Sequence, residues 1–502
     1  MSYSRQFYNK NNSCEKKNKN SNTSGSFFLK IFGVMMIAVF LCGCKGEMHV
    51  SDNRRDIKLC MIDCEDREEL KESDDNNDNV GDGEDDDNFW NFNQDNPKQD
   101  YSDAESVTIM CYFNGSNLET DYGLASEDIK EIVDGEYNEN VNIVIQTVGT
   151  RSWDDVFDIE ADHSQRFLVK DDDLELVDDD LEQLDCTNDT TLSDFIKWGK
   201  EEYPADRYIL IMWDHGAGPI YGFGYDEWNE NLEAGLTLDE LQQALKDGGV
   251  YFDFVGMDCC VMSCAEVCWA CREYCDYMIL SEDFESGLGW SYEGWISAIA
   301  DDVTIPTTEL GQMIVDDMVY DNEHSRWEGG RSILALIDVD AAAAILPAWI
   351  DFAYANAYEL LQEDMCETLF FDDEDMVHPI LLENGNNHIS KSLDEEAAFD
   401  VLYGCYAVDI LSITENIDSD ESTKLSELVN NSIVYCDKTD DEPLNGMAIT
   451  LPYGDRLFYT RLKYVYSQCG IDKEYTEWVR CFAGYDLWNM DFDFYEYSIW
   501  DG

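Results

Sequence analysis

Two stretches decide the fold: Tyr208-Ile-Leu-Ile-Met-Trp-Asp-His-Gly216 and Phe252-Asp-Phe-Val-Gly-Met-Asp-Cys-Cys260. Each is a short, mostly apolar run that stops at an aspartate and then offers residues able to do chemistry. Apolar runs of this length without alternation read as strands buried on both faces, the pattern of a parallel sheet covered by helices. Between them, Thr237-Leu-Asp-Glu240 is a capping box that opens a helix running to Lys246, and Gly248-Gly249 closes it. Strand, helix and strand in this order make a βαβ unit. In open sheets of this kind ligands gather outside the carboxyl ends of the strands, where His215 and Cys260 fall.

Working outward, residues 107–113 read as a strand ended by Asn114-Gly115-Ser116-Asn117, residues 127–133 as helix and 141–147 as a second strand. A helix over 192–202 with Thr191 as its cap precedes the strand at Tyr208. After the second stretch, 260–275 reads as helix, 277–281 and 331–338 as strands, and an Ala-rich helix starts at Ala341. An acidic loop follows near Phe371, then helices over 395–412 and 421–434 and a short strand over 447–451. The expected architecture is a three-layer α/β/α sandwich with a mostly parallel central sheet over residues 105–330 and a smaller C-terminal α/β region over 331–502.

The chain has 502 residues, 44% of them hydrophobic, with 109 acidic against 32 basic residues and a formal net charge of -77. That hydrophobic share supports a real core, and the charge excludes a nucleic-acid partner, which needs a basic face. Residues 1–43 read as an export signal: Arg5, Lys10, Lys16, Lys17, Lys19 and Lys30 precede a short apolar run from Ile31 to Cys42. That run is too short to span a bilayer, which takes roughly 20 residues. Its end, Leu41-Cys42-Gly43-Cys44, resembles a bacterial lipobox, which implies lipidation at Cys44 and an extracytoplasmic protein tethered to the cell membrane. Residues 44–104 are so rich in Asp, Asn and Glu that they read as a disordered acidic tether.

A cysteine where strand gives way to helix, beside an imidazole on the adjacent strand end, is the arrangement that nucleophilic acyl transfer needs. His215 is the candidate base and Cys260 the candidate nucleophile. Gly216 and Cys260 would supply backbone N–H groups to an oxyanion, each donor contributing on the order of 3 kcal/mol. The paired motifs, Asp214-His215-Gly216 and Asp258-Cys259-Cys260, resemble those of the clostripain-like cysteine peptidases. Supporting likeness covers Tyr203 to Tyr208 and Ser281-Glu282-Asp283 through Gly289-Trp290, and weaker likeness covers Phe113 to Glu119 and Asn445-Gly446-Met447. The resemblance implies a caspase-like fold and an endopeptidase acting through a thioester acyl-enzyme on peptide or protein substrates with Arg or Lys before the scissile bond. It also implies that Asp258 forms the floor of the specificity pocket and that Ser281 and Glu282 line it. The chemistry requires no cofactor, although members of the family often use calcium; no metal ligands can be singled out among so many carboxylates. The rival is a non-catalytic surface-binding lipoprotein on a degenerate peptidase fold.

Cys260, Cys264, Cys268, Cys271 and Cys275 recur at helical intervals, so on one continuous helix all five would share a sector of roughly 80°. Thiols strung along a helix do not converge on one ion, and packing against the sheet accounts for them. Cys259 and Cys260 leave the strand in opposite directions, so only one can face His215, and the motif register selects Cys260.

Overall fold

The computed structural model describes residues 98–229, 235–324, 332–356, 406–415, 417–439, 442, 444–452 and 456–480. Cys44, the export signal, most of the tether, the acidic loop near Phe371 and residues 395–405 lie outside them. Among the described residues a nine-stranded sheet has the order β10-β8-β7-β6-β5-β1-β2-β3-β4. Its centre comprises β1 (Val107–Asn114), β2 (Val141–Val148), β5 (Arg207–Trp213), β6 (Phe252–Asp258) and β7 (Cys275–Leu280), all parallel to their neighbours within this set. Antiparallel strands close both edges: β3 (Gln165–Lys170) and β4 (Asp173–Asp178) beyond β2, and β8 (Ile333–Asp338) and β10 (Ile433–Lys438) beyond β7. The segment expected as a C-terminal appendage therefore contributes two strands to the main sheet. A separate pair, β9 (Ala407–Asp409) and β11 (Ala448–Thr450), is antiparallel.

Alternation along each strand sends side chains into two apolar layers. On β1, Met110 and Tyr112 join the layer formed with the helices Asp189–Glu202, Leu238–Gly248 and Ala265–Cys271 and with the C-terminal helices. Val107, Ile109, Cys111 and Phe113 point into the other layer, under Leu124–Asp134, Glu293–Asp301 and Thr307–His324. The result is three layers with the sheet in the middle. At the amino ends of the strands Arg207 and Asp253, both with fully buried side chains, pair at 2.5 Å and tie β5 to β6. The same guanidinium donates to the Val303 and Ile305 carbonyls at 3.0 and 2.8 Å, fixing the loop that leads to Thr307–His324.

The capping box at Thr237 is present, its amide donating to Glu240 at 2.9 Å. Two local expectations are corrected. The helix read from Leu192 starts one turn earlier, at Asp189, because Asn188 rather than Thr191 accepts the Thr190 amide as its cap. More consequentially, residues 260–275 are not one helix. The chain turns through 259–262, the helix occupies only Ala265–Cys271, and Cys275 belongs to β7. Cys260 thus precedes the helix by a turn and gains nothing from its dipole, and the five thiols do not share one face. Cys264, Cys268, Cys271 and Cys275 are buried in the apolar layer, and the ten cysteines of the described residues are all free thiols.

Candidate active site

The chain leaves β1 for β2 in one direction and returns through β5 and β6 in the other, so a crevice opens between their carboxyl ends. Register keeps these ends level, with Phe113 opposite Trp213 and Trp213 opposite Asp258. The cleft above them is lined by His215, Asp258, Cys259 and Cys260, by Leu118, and by Glu285 and others from the loop after β7. The sequence-predicted His215, Asp258 and Cys260 therefore meet in one place.

The turn carrying Cys260 is held under strain. Val261 adopts φ +58°, a left-handed conformation that a β-branched residue enters only when its surroundings demand it. Those surroundings are the loop after β7: Val261 N–H donates to the Asp283 carbonyl at 3.0 Å and Ser263 N–H to the Ser281 carbonyl at 2.8 Å. The Glu285 N–H donates to Cys260 Sγ at 3.3 Å, a contact that favours the thiolate. Cys260 is partly exposed, whereas Cys259 is buried and its thiol is pushed well above the usual range, first by burial and then by nearby acidic groups.

His215 is partly exposed at the cleft, and burial of its ring lowers the imidazole to about 4, so the ring is neutral at ordinary pH. Its Nε2 lies 3.0 Å from Asn117 Oδ1. Next to it, Gly216 is pressed against the other motif: a Cβ there would sit 2.0 Å from the Cys260 carbonyl oxygen and 2.9 Å from Cys259 Sγ. Only glycine allows the two strand exits to approach this closely.

Asp258 forms part of the cleft floor. Its Oδ2 accepts from Trp290 N–H at 3.0 Å and Tyr292 O–H at 2.7 Å. Burial raises its carboxyl to about 6 against the lowering effect of those donors. Two further carboxyls crowd the same floor. Asp128 accepts from Trp213 Nε1 at 2.6 Å, and burial followed by the Asp258 charge pushes it well above the usual range. Glu285, raised by the same two causes in the same order, stands within hydrogen-bonding reach of Asp258, so that one proton can be shared between the two buried carboxyls. Gly289 is required beside this group, since it holds φ +59° and a Cβ there would stand 2.7 Å from Asp128 Oδ2 and 3.1 Å from Asp258 Oδ2.

Two expected pocket residues lie elsewhere. Ser281 is buried and donates to the Asp283 and Ile333 carbonyls, both at 2.9 Å. Glu282 points into the C-terminal segment, where its Oε2 accepts from Asn445 N–H at 3.1 Å and Gly446 N–H at 2.5 Å. Both brace the loop after β7 and neither lines the cleft; the wall comes four residues later, from Glu285 to Gly289. Sequence reading missed Asp128 and Glu285. Asp128 had a signal, because a carboxylate falls on the buried stripe of Ala125, Ile129 and Ile132. Glu285 had none.

Two groups of described residues bring three possible ligand atoms together: Glu160, Asp162 and His163, and Asp185, Cys186 and Asp226. Neither fits calcium, which prefers oxygen donors. The first includes an imidazole already bonded to Asp162 and Asp179, each at 2.8 Å. The second includes a thiol, and both Asp226 oxygens are occupied by the Cys186 and Trp228 amides. No helix among the described residues is long and apolar enough to cross a membrane.

The sequence profile of the clostripain family matches residues 111–447, which spans both strand-exit motifs and the segment reaching β11. The chain belongs to the clostripain family. It is 24% identical to clostripain from Hathewaya histolytica over 431 residues, covering 75% of this chain and 80% of that protein. The fold is similar to that of a secreted C11 cysteine protease from Bacteroides thetaiotaomicron solved with an irreversible peptide inhibitor (TM-score 0.52, 17% identity, 73% of this chain and 99% of that one). It is also similar to an inactive zymogen C11 protease from Parabacteroides distasonis (TM-score 0.51, 17% identity, 72% and 97%). The α/β architecture of this clostripain-family chain is thus the caspase-like one, and the chain is a cysteine endopeptidase that acts on peptides or proteins.

Proposed function

We propose that Cys260 and His215 are the catalytic pair and that the enzyme cuts after Arg, or Lys, outside the cytoplasmic membrane. The observation that carries the reading is the convergence of a partly exposed thiol, a neutral imidazole and neighbouring buried carboxyls on one cleft. His215 takes the Cys260 proton as sulfur adds to the scissile carbonyl carbon. The oxyanion is received by the N–H groups of Gly216 and Cys260. As the C–N bond breaks, the imidazolium protonates the leaving amine and a thioester remains; water, deprotonated by His215, then hydrolyses it and returns the thiol.

Basic specificity follows from the floor. Buried carboxyls gathered without a balancing positive charge are costly to ionise, and a guanidinium entering the cleft supplies that charge and further donors. Asp258, with Glu285 and Asp128 beside it, offers more acceptor positions than an ammonium fills, which favours Arg over Lys. The extracytoplasmic assignment rests on the lipobox-like sequence before Cys44 and on the secreted protease of similar fold.

The test is a set of variants assayed on reporters with Arg, Lys, Asn or Asp before the cut. Cys260→Ala is expected to abolish cleavage and Cys259→Ala to leave most of it, with Arg the preferred residue. Activity that survives Cys260→Ala and dies with Cys259→Ala sinks the assignment of the nucleophile, and a preference for Asn or Asp sinks the pocket.

A further inference from the structure

We infer that Glu282 and Asp409 share one proton and that the pair so joined positions the loop after β7 against Cys260; Glu282 is thereby a positioning residue for the nucleophile, an inference that rests on the assignment of Cys260 above. Both side chains are buried. The Asn445 amide donates to Glu282 Oε2 at 3.1 Å and to Asp409 Oδ2 at 2.8 Å, so a single N–H brings the two carboxyls together. The Glu282 carboxyl stands within hydrogen-bonding reach of Asp409. Two like charges that close and out of water oppose each other, and a proton held between them removes the repulsion. Asp409 is committed as the acceptor, because its Oδ1 also takes the Ser412 amide at 2.6 Å, capping the helix Ile410–Thr414, and Asn445 Nδ2 at 3.1 Å. The shared proton therefore belongs to Glu282, which donates it to Asp409 while its Oε2 accepts the Asn445 and Gly446 amides.

The segment that meets this pair is also fixed to the turn that carries Cys260. Ser263 Oγ donates to the Gly446 carbonyl at 2.6 Å, and Ala448 N–H donates to the Ser263 carbonyl at 2.9 Å. Gly446 holds φ +101°, a conformation that favours glycine, to aim its amide at Glu282. Glu282 thus ties the loop after β7 to a segment already seated on the Cys260 turn, three residues before the Glu285 N–H that donates to Cys260 Sγ. The other titratable groups facing the pair are Glu442 from that segment and Cys436 of β10, with Asp437 and Lys438 beside the thiol. Burial, and then the Asp409 charge, hold the Glu282 carboxyl well above the usual range. Because the folded value lies above the ordinary one, the joined pair is intact below it and comes apart as pH rises through it.

The test follows kcat, KM and Tm of the full chain against pH for the wild type, Glu282→Gln, Glu282→Ala and Cys260→Ala. A glutamine keeps the geometry of protonated Glu282 at every pH, its oxygen accepting the two amides and its nitrogen donating to Asp409. Glu282→Gln is therefore expected to lose the alkaline fall in kcat and Tm that the wild type shows. Glu282→Ala, which releases the loop, is expected to have a kcat about 10- to 100-fold below that of Glu282→Gln, the size of loss that a small misplacement of reacting groups causes. If Glu282→Ala does not fold, the Glu282→Gln profile alone decides. Profiles of Glu282→Gln and wild type that coincide, or a glutamine variant as impaired as the alanine one, overturn the inference while leaving the catalytic pair standing. Full activity in Cys260→Ala removes the nucleophile and the positioning role together, an outcome told apart from the others because the Tm comparison needs no catalysis.

Discussion

At the scale of single residues, Asp258 and His215 divide the pH dependence between them. Burial holds the His215 imidazole at about 4, so the proposed base is neutral well into the acid range. Burial raises Asp258 to about 6, and this carboxyl must be ionised to receive a guanidinium. Its folded value lies above the ordinary one, so charge on the floor is present above about 6 and lost as pH falls through it. Cleavage after Arg is expected to fall in step, measured as kcat/KM against pH on an arginyl reporter. Asp258→Asn is expected to reduce that kcat/KM by about 30- to 5,000-fold, since removing one partner of a buried charged pair costs roughly 2–5 kcal/mol, and to abolish the limb near 6. A limb that stays in place in the variant assigns the titration to another group. The positions of His215, Gly216, Asp258 and Cys260 at the ends of β5 and β6 were legible because each stands at a fixed offset on an apolar strand. That of Glu285 was not, since it comes from a loop whose path no local pattern encodes.

At the scale of elements, the site is a product of strand register. The parallel strands could be read from sequence because burial on both faces removes alternation, and the helix at Thr237 could be read from its capping box. The edge strands β3 and β4 were missed for a physical reason: five of their twelve residues are charged acids or bases facing solvent or one another, as in Asp173 to Asp178, and they carry little apolar signal. The run of cysteines misled in the opposite sense. Helical spacing from Cys260 to Cys275 concealed a turn and a strand end, because buried thiols pack in any element. The Arg207–Asp253 pair joins β5 to β6 at their opposite end. Arg207→Met leaves the buried Asp253 carboxylate without its cation and the Val303 and Ile305 carbonyls without that donor, and is expected to destabilise the fold by about 3–5 kcal/mol. Thermal unfolding would show this as a lower Tm, with KM of the remaining folded enzyme unchanged; an unaltered Tm would mean that the pair does not hold the strands.

At the scale of the molecule, charge and fold answer different questions. The net charge of -77 says nothing about the sheet, yet it excludes nucleic acid and suits a cationic substrate. Among the described residues most carboxylates lie where solvent reaches them, but Asp128, Asp258 and Glu285 are gathered beneath the cleft, where burial raises all three. A cationic substrate side chain would offset the cost of ionising them, as the proposed specificity requires. The C-terminal segment takes part as well: Gly446 and Asn445 hold Glu282, which braces the loop that supplies Glu285 and the Cys260 contact. Residues far apart in the chain thus converge on one sulfur, and that sulfur is the claim to test. The direct measurement is to react the full chain with an arginyl peptide ketone that alkylates thiols and to locate the adduct by mass spectrometry. A single adduct on Cys260, slowed in His215→Ala and in Asp258→Asn, is the predicted result; an adduct on Cys259 or another thiol, or labelling indifferent to His215, would contradict the account.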